Sequence, residues 1–345
     1  SGRANPAGRS NPRPGLAKAN ALTPPLFTPL PRPHNADGAP RKIGVEIELG
    51  GLDEGDVARI CAEVLGGRAE QGDGTLWTVH DTRIGKIEVY LDTSLRKATR
   101  SKLRDLALDL GREVIPVEIV TQPLDMAELA TLHDLTGALR HAGALGSGAG
   151  WVFGFGLHLN IEIASDRNAD ILRPMLAYAL IEDWLRHAEP IDDSRRLLPF
   201  TDPYPTNFVR ALLGLGMDAS LREMIAVYLE HTPSRNRGLD MLPIFAHLAP
   251  ETVEDAVSES VSSRPAFHFR LPDSRIDEPG WSIAQEWQRW VLVERVAADE
   301  RLLTRLGAAW LDDHGMVTFS RASWAERCGA LLHQFGHDLP LAEHR

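Results

Sequence analysis

The stretch GFGLHLNIEI (residues 154–163) decides the fold. Every second residue is apolar: Phe155, Leu157, Leu159, Ile161 and Ile163. A side-chain period of 2 is that of a β-strand with one buried face. The pattern predicts a strand over residues 151–163. Its other face carries Gly154, Gly156, His158, Asn160 and Glu162. A strand whose second face only met water would more often carry Thr, Lys or Ser there. Glycines, an imidazole, an amide and a carboxylate suggest instead the floor of a site.

The same alternation recurs along the chain. Residues 41–49 place Ile43, Val45, Ile47 and Leu49 on one side and Gly44, Glu46 and Glu48 on the other. Residues 76–81 and 86–91 read as a hairpin around TRIG, whose second strand turns Glu88, Tyr90 and Asp92 to its polar side. Residues 115–121 add Glu118, and residues 265–271 add His268 and Arg270. Helical patterns cover residues 54–65, stopped by Gly66-Gly67, and 94–111, 126–144 and 169–187. Residues 205–260 are mainly helical, and two helices close the chain. Strands and helices mix without a regular βαβ alternation. The predicted class is therefore α+β, a largely antiparallel sheet with helices packed on one face.

Packing the apolar rows against helices leaves the polar rows together on the other face. That face collects at least five carboxylates, two histidines and an arginine. Like charges so crowded repel unless cations neutralise them. Divalent ions such as Mg²⁺ or Mn²⁺ take oxygen ligands and an occasional imidazole, and Gly154 and Gly156 would leave room for a ligand above the sheet. The plain alternative is that each E-x-E is a solvated strand face and each histidine structural. Convergence of several strands favours the metal reading.

The chain has 345 residues, 43% apolar and 25% charged, ample for a sizeable core. Of 37 basic and 48 acidic residues, seven and one fall within residues 1–42, so the remainder carries 30 against 47. An acidic body argues against nucleic-acid binding. No run is apolar enough for a membrane span or secretory signal, and two cysteines, Cys61 and Cys328, suit a reducing compartment. A cytoplasmic location is expected, with no membrane partner. Residues 1–42, with nine of the 23 prolines, read as a flexible N-terminal segment, and residues 43–345 as a single domain. Leu22, Leu26, Phe27 and Leu30 could lay the second half of that segment on the body. GSGAG (146–150) reads as a hinge or lid, Arg195-Arg196 as a solvated turn, and Trp281, Trp287 and Trp290 as packing residues.

The segments IGVEIEL (43–49), VEIVTQPL (117–124), GFGLHLNIEI (154–163) and SRNRGLDMLPIF (234–245) resemble the putative amidoligase family, and HFRLPDSRIDEPGWS (268–282) resembles the late E-x-R-x-P-D strand of glutamine synthetases. The resemblance implies a glutamine synthetase-like catalytic domain with ATP above the sheet. It implies a carboxylate–amine ligase that makes an amide or isopeptide bond through an acyl phosphate. Glu46, Glu48, Glu88, Glu118, His158 and His268 would then ligate Mg²⁺ or Mn²⁺. Arg270 would meet the transferring phosphate, and Arg235, Arg237 and Asn160 would help hold ATP or a substrate carboxylate. Asp81 and Glu162 are candidates for taking a proton from the amine. One departure stands out: His268 occupies the place of the glutamate in E-x-R. The partners would be a small-molecule, peptide or protein carboxylate and an amine, and an oligomer is open. Rival readings are a phosphotransferase on the same scaffold, a non-catalytic nucleotide- or metal-binding module, and a metal hydrolase.

Overall fold

A computed structural model describes residues 27–91, 115–148, 154–196, 201–258, 260–315 and 321–339. The helix expected over 94–111, Asp92, Leu22, Leu26 and the start of the strand expected at 151 lie outside these residues. Eight strands form one sheet: β1 (Ile43–Leu49), β2 (Arg68–Gln71), β3 (Trp77–Thr82), β4 (Gly85–Leu91), β5 (Val117–Thr121), β6 (Leu157–Glu162), β7 (Leu239–Asp240) and β8 (Ala266–Phe269). Their order is β2-β3-β4-β5-β1-β6-β8-β7, and every pairing is antiparallel. The fold is α+β, as the alternation predicts.

The alternation predicts the buried rows as well. Ile43, Val45, Ile47, Ile87, Val89, Ile119, Leu157, Leu159, Ile161, Phe267 and Phe269 are all buried in the core. At β8 they meet aromatic rings: Trp290 packs on Phe267 and Phe269, and Tyr178 meets Phe269 edge-on. Those rings come from helices Ile283–Ala298 and Asn168–Ala188, which pack on each other. Helix Glu54–Leu65 covers β2, β3 and β4. Asp53 caps it by accepting from Asp56 N, and Gly66 ends it at φ +75°, a conformation that favours glycine.

Some elements differ from the sequence pattern. β2, with the sequence RAEQ, shows no apolar alternation because it is a largely exposed edge strand. The region expected as one helix over 126–144 is two, Met126–Leu129 and Thr131–His141. The C-terminal region carries three helices, Ile283–Ala298, Glu300–His314 and Arg321–Gln334. β7 has only two residues, too few for any periodicity to show.

From Phe27 the N-terminal segment lies along the body. Phe27 and Leu30 are buried, and Phe27 meets Trp287 edge-on. Trp287 and Gln288 donate to the Thr28 carbonyl and hydroxyl. Arg41 makes a bidentate, buried pair with Glu294. Among the described residues no helix is long and apolar enough to cross a membrane.

Candidate functional site

Antiparallel register sets the polar face. Directly opposed residues share a face of the sheet. Glu46 of β1 stands opposite His158 of β6 on one side and Val120 of β5 on the other. Glu48 stands opposite Glu118. Asn160 stands opposite both Gly44 and His268, and His268 opposite Asp240 of β7. The polar sides of five strands, in the order β5-β1-β6-β8-β7, thus become neighbours on one face of the sheet.

Contacts follow from that placement. Glu46 Oε2 lies 2.9 Å from His158 Nδ1 and 3.7 Å from His268 Nε2. Asn160 Nδ2 donates to Glu46 Oε1 at 2.7 Å. One ligand atom from each of Glu46, His158 and His268 lies within 4.8 Å of the others. His268 Nδ1 faces Asp240 Oδ2 at 3.2 Å, while its buried Nε2 has no hydrogen-bond partner. An orphaned imidazole nitrogen aimed at a carboxylate and a second imidazole suits a divalent metal. Glu48 accepts from Gly156 N at 2.6 Å, and its Oε1 is 3.8 Å from His158 Nε2. The directly opposed Glu48 and Glu118 carboxyls would repel if both were ionised without a cation between them.

Electrostatics support ligands in their metal-binding forms. Burial alone would raise the Glu46 carboxyl, but its histidine surroundings, with the His158 hydrogen bond foremost, hold it well below the usual range. Burial pushes His158 down to about 3, against the opposing hydrogen bond with Glu46. An ionised Glu46 beside a neutral His158 is the state that binds metal. The sign for stability follows. Below about pH 6.5 the unfolded chain protonates His158, whereas the folded chain refuses that proton until about pH 3. The contribution is therefore complete above pH 6.5 and declines as pH falls through this window. The melting temperature of chelator-treated protein should drop steadily from pH 6.5 to 4, and His158→Asn should flatten part of that slope.

Arginines ring the cluster. Arg264 Nη2 donates to Asn160 Oδ1 at 2.6 Å and lies 3.8 Å from Glu46 Oε1. Arg270 donates from Nη1 to the Arg235 carbonyl, and its buried Nε has no partner. Arg235 Nε reaches Asp240 Oδ2 at 3.4 Å. Arg195 is buried, which corrects the solvated turn expected there. Its guanidinium donates to the carbonyls of Arg270, Leu271 and Pro272 and to Asp273 Oδ1. It clamps the backbone that carries Arg270. Arg264 does not stand out in the sequence and Arg195 reads there only as part of a turn, because both come from outside the alternating strands.

Gly156 serves a purpose other than the open space expected of it. A Cβ there would lie 2.7 Å from Arg195 Nη2 and 2.8 Å from His158 Nε2. Arg195 is held by four acceptors and has little freedom to yield. Gly156→Ala is expected to cost about 1–3 kcal/mol of stability and to weaken metal binding at least tenfold; a melt and a metal titration check both. Among the described residues the strand begins at Leu157, and Gly156 before it makes an isolated bridge to Asp273.

The remaining sequence candidates stand elsewhere. Glu88 shares the polar face but is ion-paired to Lys86 at 2.7 Å. Asp81 is exposed at the irregularity between β3 and β4, at φ +58° and three strands from β1. Glu162 accepts from Asn35 Nδ2 and Lys42 N, so its carboxylate anchors the N-terminal segment. Arg237 donates to Thr232 Oγ1 and the Pro203 carbonyl, which ties two loops together. The structure does not bring Asp81, Glu162 or Arg237 to the cluster, because their partners lie in the surrounding loops or in solvent. Cys61 is buried and its thiol pushed up to about 12, which suits packing and not nucleophilic chemistry.

A search of curated proteins returns no match. A scan against protein families matches residues 39–292 to a family described as "Putative amidoligase enzyme".

Proposed function

Because the chain belongs to the putative amidoligase enzyme family, we propose that it is an ATP- and divalent-metal-dependent ligase that joins a carboxylate to an amine through an acyl phosphate. The observation that carries this reading is the Glu46–His158–His268 group, two buried imidazoles around a half-buried carboxylate, bordered by Glu48 and by Arg264 and Arg270. The same reading treats the antiparallel sheet as a glutamine synthetase-like platform, with nucleotide held above its polar face. Glu46, His158 and His268 would hold one Mg²⁺ or Mn²⁺, and Glu48 with Glu118 a second. A metal bound there supplies charge neutralisation to the nucleotide phosphates.

The chain's own groups have separable tasks. Arg270, with an unpartnered Nε, faces the charge that grows on a transferring phosphoryl group. Arg195 fixes the Arg270 backbone. Asn160 holds Glu46 Oε1 and accepts from Arg264, so the carboxylate and the arginine are set by one amide. The substrates are a small-molecule, peptide or protein carboxylate and an amine.

Hydroxylamine tests this whatever the natural amine is. Protein, ATP, Mn²⁺ or Mg²⁺ and pools of carboxylic acids should yield acyl hydroxamate together with ADP and phosphate. ADP release that does not respond to any amine, with a stable phosphorylated product, would establish the phosphotransferase instead. Absence of nucleotide binding to folded protein with either metal would sink both readings.

A further inference from the structure

We propose that Asp240 and His268 make the central metal position selective for nitrogen-accepting transition-metal dications, of the Mn²⁺ and Zn²⁺ class, over Mg²⁺. The inference rests on the reading that this cluster holds a metal, and it adds which metal and why.

Asp240 is fully buried on the two-residue strand β7. Its two oxygens are committed. Oδ1 accepts from Leu242 N at 3.0 Å, and Oδ2 faces His268 Nδ1 at 3.2 Å and Arg235 Nε at 3.4 Å. A carboxylate only accepts, so the His268 tautomer it selects carries its proton on Nδ1. Nε2 then presents a lone pair toward Glu46 Oε2, 3.7 Å away, too far for a hydrogen bond. A carboxylate behind an imidazole fixes the ring and raises the basicity of the ligating nitrogen.

The donor set now has two imidazoles and one carboxylate. Mg²⁺ prefers six oxygens in near-ideal octahedral geometry and sheds its waters reluctantly. Here His158 and His268 are each about nineteen-twentieths buried, at 5% and 3% exposure, which restricts the waters Mg²⁺ would keep. Mn²⁺ and Zn²⁺ accept imidazole nitrogen readily. The perpendicular His158 and His268 rings, with centroids 5.4 Å apart, converge on the Glu46 carboxylate from two strands. The departure at position 268 is thereby built into the fold: Asp240 is placed opposite it by register.

The decisive quantity is the change in metal preference, since most mixed sites favour Mn²⁺ over Mg²⁺ to some degree. Chelator-treated full-length protein is titrated with Mn²⁺ by electron paramagnetic resonance, with Mg²⁺ as competitor and no nucleotide. Wild type should prefer Mn²⁺ at least a hundredfold, and spin-echo modulation should show imidazole nitrogen on the bound ion. His268→Glu should shrink the preference at least tenfold and diminish that modulation. Asp240→Asn should weaken Mn²⁺ by about 10- to 100-fold and Mg²⁺ much less.

An unchanged Mn²⁺/Mg²⁺ ratio in His268→Glu, or no nitrogen modulation in wild type, overturns the inference. Should His268→Glu fail to fold, the wild-type spin echo and Asp240→Asn still decide it. Selectivity without hydroxamate formation would leave this inference standing and remove the ligase reading. Hydroxamate formation with equal preference for Mg²⁺ would do the reverse.

Discussion

On the proposed ligase reading, Glu46→Gln is expected to lower metal-dependent ATP turnover by about a thousandfold while the protein still folds. The substitution keeps the side chain's shape and one acceptor for Asn160. It removes the charge that faces two imidazoles at 2.9 and 3.7 Å. Losing the anionic ligand of a metal that neutralises phosphate charge removes roughly 4 kcal/mol of transition-state stabilisation, which is about three powers of ten. Divalent-metal affinity should fall in parallel. Turnover within tenfold of wild type, measured at saturating metal, would remove Glu46 from the site. A far-ultraviolet spectrum and melt of the variant separate that outcome from misfolding.

Arg41→Ala should cost about 3–5 kcal/mol of stability. Arg41 and Glu294 are both buried, and their side chains meet through two hydrogen bonds of 2.9 and 2.8 Å. Arg41 also donates to the carbonyls of Glu162 and Arg32, so it joins the N-terminal segment, β6 and helix Ile283–Ala298. Its removal leaves Glu294 with Trp290 Nε1 as its remaining donor among these contacts. Urea unfolding measures the loss. The double change Arg41→Met with Glu294→Leu should regain most of it, because no uncompensated charge then stays buried. A loss below about 1 kcal/mol would place the pair with ordinary surface ion pairs.

The central site is partly legible in the chain's own alternation. Glu46, Glu48, Glu118, His158, Asn160, His268 and Arg270 are found by listing the polar side of each alternating pattern, and the sheet gathers the first six on one face, with Arg270 just past the end of β8. Asp240, Arg195 and Arg264 are not legible in this way. Asp240 sits on a strand of two residues, Arg195 in a one-turn helix, and Arg264 just before β8. None belongs to a repeating pattern, so nothing local distinguishes them from surface charges. Asp81 and Glu162 illustrate the converse. Their chemistry suits a proton acceptor, but one is exposed at a strand irregularity and the other anchors the N-terminal segment.

Sequence by itself determined which residues share a face, because the strand period of 2 is a local property of the backbone. It also determined that this face carries carboxylates and imidazoles, since residue type is written in the sequence. Tertiary structure alone decided which strands became neighbours. The order β5-β1-β6-β8-β7 sets Glu46 beside His158 and Asp240 behind His268. Strand order depends on how distant apolar rows pack against helices such as Asn168–Ala188 and Ile283–Ala298, a long-range choice that no local period encodes. The same packing brings the Arg270–Asp273 backbone to Arg195, and so turns a surface-like arginine into a buried clamp.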